Sequence, residues 1–119
     1  MHLESPIPIR GEQIVRLAQL SIASEREGAL HLLGLTGEID LANAADVDAE
    51  LRRIEATDVE VILVDLSGVS FIDSTGLKVL IGAAARARDT GRLLLESPSP
   101  AVLRLLHIAG VADLLPLAA

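Results

Sequence analysis

A chain of 119 residues, half of them hydrophobic, suits one compact domain with a single core, and the absence of cysteine excludes disulfides, thiol nucleophiles and Cys-ligated zinc. A formal net charge of −7 and a single aromatic residue, Phe71, argue against nucleic acid as a partner, because phosphate backbones need a basic footprint and single strands need aromatic faces for stacking. No apolar run approaches the roughly 18 residues of a membrane span, and the start MHLESPIPIRGEQ lacks a cationic-then-apolar leader, so the expected location is the cytoplasm.

Residues 1–13, with Pro6, Pro8 and Gly11, read as an irregular arm, and residues 14–119 as the folded domain. Ile14 to Ile22 is expected to form a first strand with a break in its alternation. Gly28 marks a turn, and Ala29 to Thr36 (ALHLLGLT) forms a second strand, giving an opening hairpin. His31 reads as an ordinary strand residue. Val47, Leu51 and Ile54 then fall at i, i+4 and i+7, one face of a helix, with Asn43 as its cap and Asp46 in its first turn, where a carboxylate suits the helix dipole. Arg52, Arg53 and Glu55 face solvent in that reading.

Val59 to Leu66 (VEVILVDL) is nearly continuous and β-branched, the pattern of a central strand, and Ser67-Gly68 follows as a turn. From Ser74 the period lengthens again: Leu77, Leu80, Ile81 and Ala84 line one helical stripe, which Asp89-Thr90-Gly91 ends. Arg92 to Glu96 is a short strand. Ser99 and Pro100 open a last helix that buries Val102, Leu105 and Leu106, with Ile108 or Ala109 continuing the face and Gly110 closing it. VADLLPLAA adds a turn or an edge strand. The order β-β-α-β-α-β-α predicts an α/β domain: a mixed, mostly parallel sheet with an opening β-hairpin and about three packed helices.

The stretch Val64 to Leu77 (VDLSGVSFIDSTGL) carries the candidate chemistry. With Asp73 as N-cap, Ile72 and Leu77 take the N′ and N4 positions of a hydrophobic staple. Ser74 and Thr75 become the first helical residues, with their hydroxyls at the edge of the protein. Gly76, a poor helix former, leaves room for a close approach by another surface. A capped helix with no further role is the simplest account. A nucleophilic serine would need a base, and His2, His31 and His107 lie far apart, with no G-x-S-x-G elbow and no metal-ligand spacing. A phosphate-binding loop is excluded by the missing G-x-x-x-x-G-K-[ST] pattern.

The segment DLSGVSFIDSTGL resembles the STAS family, specifically its anti-sigma factor antagonists. The resemblance runs from about Ile14 to Leu117. Gly37-Glu38-Ile39-Asp40 resembles the family's G-E-[IL]-D turn, and Leu105 to Val111 resembles its closing L-x-x-x-G-[LV] segment. The resemblance implies a regulatory protein rather than an enzyme. It implies that Ser74 is phosphorylated by an anti-sigma factor that is itself an ATP-dependent serine kinase. The unphosphorylated form would bind that kinase and free the sigma factor, and a metal-dependent PP2C-type phosphatase would reset it. Partner-binding residues carried over by position are Asp73, Thr75, Gly76, Glu38 and Asp40; no catalytic residue, cofactor or metal is implied. The arm before the first strand and Leu115-Pro116, where the family often has an aromatic, depart from the common pattern. The competing role for the same fold is a STAS subunit of a stress-signalling complex or a lipid-transport ATPase, docking through Ser74 or Thr75.

Phosphorylation would add about −1.5 to −2 charge at a helix N-terminus, which the dipole and free N–H groups favour. It should therefore alter the surface without unfolding the domain. Strands that precede crossover helices in a parallel sheet end on the same side, so the GEID loop and the Ser74 helix start should form one composite surface.

Overall fold

The computed structural model describes residues 13–16 and 19–118. The expected arm lies outside these residues, apart from Gln13, which opens the first strand. Five strands, β1 (Gln13–Arg16), β2 (Leu20–Glu27), β3 (Leu30–Ile39), β4 (Val61–Ile72) and β5 (Leu93–Glu96), form one sheet in the order β1-β2-β3-β4-β5. The first three pair antiparallel and the last three parallel, which divides the mixed sheet between the two senses. Three helices, α1 (Ala44–Glu55), α2 (Ser74–Arg86) and α3 (Pro100–Ala109), and a 3₁₀ turn at Ala112–Leu114 complete the domain.

The chain passes from β3 to β4 through α1 and from β4 to β5 through α2, and the two helices pack side by side. The expected α1 face is the observed one: Val47, Leu51 and Ile54 are buried, joined by Ala44. They meet His31, Leu33 and Leu35 of β3 and Ile62, Val64 and Leu66 of β4, the inward set of two alternating strands. In α2 the buried stripe holds Gly76, Leu77, Leu80, Ala83 and Ala84, with Ile81 only partly buried beside it. Glu55 is not left to solvent: its carboxylate takes both arms of Arg86, at 2.7 and 2.9 Å, and ties α1 to α2.

Other sequence expectations change as well. The segment from Ile14 to Ile22 belongs to two strands rather than one, β1 and β2, which pair antiparallel. The second strand does not stop at Thr36 but runs to Ile39. Ser67-Gly68 is no turn: β4 continues through it and carries an extra residue at each of two register slips against β3. Gly68 serves close strand approach, because a Cβ there would lie 2.8 Å from Thr36 Oγ1. The first slip turns Val69 inward and the second restores the alternation, so that Ile72 is buried and Phe71 is 47% exposed. Finally, neither Ile108, 76% exposed, nor Ala109, also exposed, extends the buried face of α3: Val102 and Leu106 are buried and Leu105 is partly buried beside them.

The C-terminal tail docks beside β5. Leu95 N–H donates to the Pro116 carbonyl at 2.9 Å, Ala118 N–H donates to Leu95 at 2.8 Å, and Leu95 and Leu117 form a parallel bridge. Leu115 is buried there, in the place where the resemblance expected an aromatic. Among the described residues no helix is long and apolar enough to cross a membrane.

Candidate functional site

β3 and β4 run parallel and finish together, with Ile39 opposite Ile72 and Glu38 opposite Phe71. Asp73 N–H donates to the Ile39 carbonyl at 3.1 Å, so the start of α2 is stitched to the end of β3. Asp73 is extended, and its carboxylate accepts the Gly76 N–H at 2.9 Å, the N-cap geometry that the sequence predicts. Ile72 and Leu77 are both buried on either side of the cap. Ser74 is then the first residue of α2 and exposed; its hydroxyl makes no hydrogen bond among the described residues. Thr75 is half-buried.

Gly76 is buried, and the space beside it is filled from within the chain. A Cβ would lie 2.7 Å from Ile39 Cγ2 and 2.9 Å from Ile72 Cγ1. The surface that approaches Gly76 closely is thus the protein's own, the ends of β3 and β4. The glycine lets the first turn of α2 sit directly on them.

The loop Asp40–Asn43 follows β3 on the same side. Gly37, Glu38 and Ile39 belong to the strand rather than to a turn, so Glu38 is a half-buried strand residue and only Asp40 is in the loop. Asp40 accepts the Ala42 N–H at 2.9 Å, a local turn made by a short carboxylate. Asn43 makes no side-chain cap to α1. Its amide instead donates to the Glu38 carbonyl at 2.9 Å and accepts the Asp40 N–H at 3.0 Å, which fixes the loop against the strand end. Local competition for the asparagine side chain was resolved in favour of the loop.

The geometry therefore brings Asp73, Ser74 and Thr75 to the same end of the sheet as Glu38 and Asp40. Two residues that sequence reasoning gave no role stand at this end as well: Leu41, 78% exposed at the loop tip, and Phe71. Leu41 had a sequence trace, an isolated leucine outside both the strand and helix periods. Lys78 lies one helical turn after Ser74 and makes no ion pair among the described residues.

His2 lies outside the described residues, and the other two histidines, His31 and His107, are elsewhere. His31 pairs with Ile62 at the opposite end of β4. It is buried, its Nε2 hydrogen-bonds Ser24 Oγ, and its Nδ1 has no partner. Burial holds its pKa below the ordinary value near 6.5, with Arg53 acting in the same direction and Glu50 against it. His107 is exposed on α3. Neither histidine stands beside Ser74, and among the described residues no cluster of His, Asp or Glu could hold a metal ion.

A STAS domain profile matches residues 21–119. An anti-sigma-B factor antagonist of Listeria monocytogenes is 35% identical over 82 residues, covering 68% of this chain and 72% of the relative. Among solved structures, an anti-sigma factor antagonist from Mycobacterium paratuberculosis superposes with a TM-score of 0.74 at 24% identity, covering 82% of this chain and 84% of that one. The Bacillus cell fate determinant SpoIIAA, solved in its phosphorylated form, superposes with a TM-score of 0.58 at 20% identity and covers 92% of each chain. Sheet order, helix placement and profile agree, and the chain belongs to the STAS domain family, alongside the members named anti-sigma factor antagonists.

Proposed function

We propose that this chain is an anti-sigma factor antagonist whose binding to an anti-sigma factor serine kinase is switched off by phosphorylation of Ser74. The observation that carries the reading is the exposed, uncommitted Ser74 hydroxyl on the first turn of a helix whose start is fixed by Asp73, Gly76 and Ile39. A kinase can reach such a hydroxyl without disturbing the core. The Listeria relative's name supports the antagonist role.

The physical mechanism is a change of surface. A phosphate at this helix start meets N–H groups and the positive end of the dipole, and Lys78 is placed at i+4 to pair with it. The fold therefore tolerates the dianion. A partner packed against a neutral serine does not, since desolvating an unmatched charge costs several kcal/mol and about 1.4 kcal/mol is already tenfold in affinity. Asp40, Asp73 and Glu38 add fixed negative charge that orients a partner with a basic rim. The kinase brings ATP and the chemistry, and a PP2C-type phosphatase restores the hydroxyl.

The test is to incubate the purified chain with ATP and the serine-kinase anti-sigma factor encoded in the same genome, then map the phosphate by mass spectrometry. A single phosphate on Ser74 is expected. Modification confined to Ser24, Ser67 or Ser97 would overturn the assignment, and Thr75 is the close competitor that peptide fragmentation must separate.

A further inference from the structure

Between the end of β4 and α3 lies an open groove of about 700 Å³. Val69 and Phe71 wall one side; Pro100, Arg104, Leu105 and Ile108 wall the other. Positions 100, 104 and 108 recur every four residues, so they lie along one face of α3. That face is distinct from the buried stripe of Val102 and Leu106. Ser99 anchors the helix by donating its hydroxyl to the Val69 carbonyl, which holds the two walls at a fixed separation.

A lone exposed isoleucine is ordinary, but this one is not alone. Ile108 at 76% exposure and Phe71 at 47%, the chain's single aromatic, line the same groove and form a continuous apolar patch. After the two register slips in β4, whose shifts cancel, Phe71 stands on the same outward side as Asp65 and Ser67. Arg104 is the one charged residue of the lining, and it makes no ion pair among the described residues, whereas Arg26, Arg52, Arg53 and Arg86 each do. No acid lines the groove in a chain whose net charge is −7. Its complement is therefore an apolar side chain beside a carboxylate. The groove runs open along its length, which suits a protein segment better than an enclosed small molecule. Through Phe71 and Ile72 it is continuous with Asp73 and Ser74.

We infer that this groove anchors the partner that reads Ser74, taking a segment of the anti-sigma factor kinase in which an apolar residue neighbours an acidic one. The inference rests on the function proposed above. It makes the interface bipolar: acids of this chain at the Asp40–Asp73 end orient basic groups, Arg104 orients a carboxylate, and Phe71 and Ile108 grip what lies between.

The test measures affinity for the purified kinase by calorimetry, using unphosphorylated chains of matched melting temperature. Ile108→Glu and Arg104→Glu are expected to weaken binding by at least about tenfold, Arg104→Lys to keep most of it, and Leu103→Glu, on α3 but outside the groove, to change it less than about twofold. Groove variants that bind like the wild type while Ser74→Asp does not would overturn the groove and leave the switch standing. Groove variants that lose binding while Ser74→Asp keeps it would overturn the switch and support the groove. A Leu103→Glu loss as large as that of Ile108→Glu would overturn the groove, and a wild-type chain that does not bind the kinase would overturn both.

Discussion

The two ends of the sheet are held together by different chemistry. Where β3, β4 and β5 begin, arginines do the fastening. Arg92 donates to the carbonyls of Val59, Glu55 and Thr57 at 3.1–3.2 Å, and Arg26 pairs with Asp58 at 2.7 Å. Where β3 and β4 finish, no arginine or lysine bridges the elements among the described residues. That end is held by short-range devices: the Asp73 cap, the Asn43 bridge and the bare Cα of Gly76 against Ile39 and Ile72. It leaves Ser74, Leu41 and Phe71 outside. An end fastened by backbone caps and close packing can present its side chains to a partner and accept new charge, because the side chains of Ser74, Leu41 and Phe71 make no structural tie. It should tolerate charge and resist added volume. The opposite end should show the reverse.

The largest test of that contrast is volume at the switch end. Gly76→Val forces a branched side chain into the space held by Ile39 and Ile72, and should cost about 3 kcal/mol, read as a lower urea midpoint. Next comes charge at the far end. Arg92→Ala strips three carbonyls of their donor and should cost about 2 kcal/mol, with kinase affinity unchanged once the chain is folded. A neutral result at either position would erase the contrast.

A smaller effect appears on acidification. His31 sits in the core with its pKa lowered by burial, so the folded state prefers the neutral ring more than the unfolded chain does. Between the folded value and about 6.5 the unfolded chain binds more protons, and stability should fall as pH drops through that window. Melting curves between pH 7.5 and 5 should show a shallower decline in His31→Gln than in the wild type, the pH range being on the order of the histidine titration. Equal slopes would remove His31 from the acid response. Asp40→Ala should have the least effect on stability, under about 1 kcal/mol, because its turn is exposed. It should still slow phosphorylation or weaken kinase binding. If it loses stability and keeps binding, Asp40 is a loop residue and not a contact.

What the sequence made legible is local. The Asp73 cap, the α1 face and the Ser99–Pro100 start each depend on residues within one or two turns, and each is found. The adjacency of the GEID segment to Ser74 followed from topology alone. Features set by distant partners were hidden. Ser67-Gly68 carries turn residues, yet pairing of Gly68 with Thr36 and of Val69 with Gly37 keeps the chain in β4. Asn43 has a cap's composition, yet the Glu38 carbonyl claims its side chain. Gly76 gave no sign in sequence that Ile39 would sit against it, and Ile108 fell on the helical period without a surface to cover it. Val69 is the clearest case: alternation from Leu66 would turn it out, and only the first register slip in β4 decides that it is buried.

The central claim is that charge at position 74 alters the surface and spares the fold. Ser74→Asp measured for both properties in one preparation tests it most directly. The account predicts a melting temperature within about 2 °C of the wild type, since the new carboxylate lies at the favourable end of α2, together with at least about a tenfold loss of affinity for the anti-sigma factor kinase. An unfolded variant, or a folded one that binds as tightly as the wild type, would contradict it.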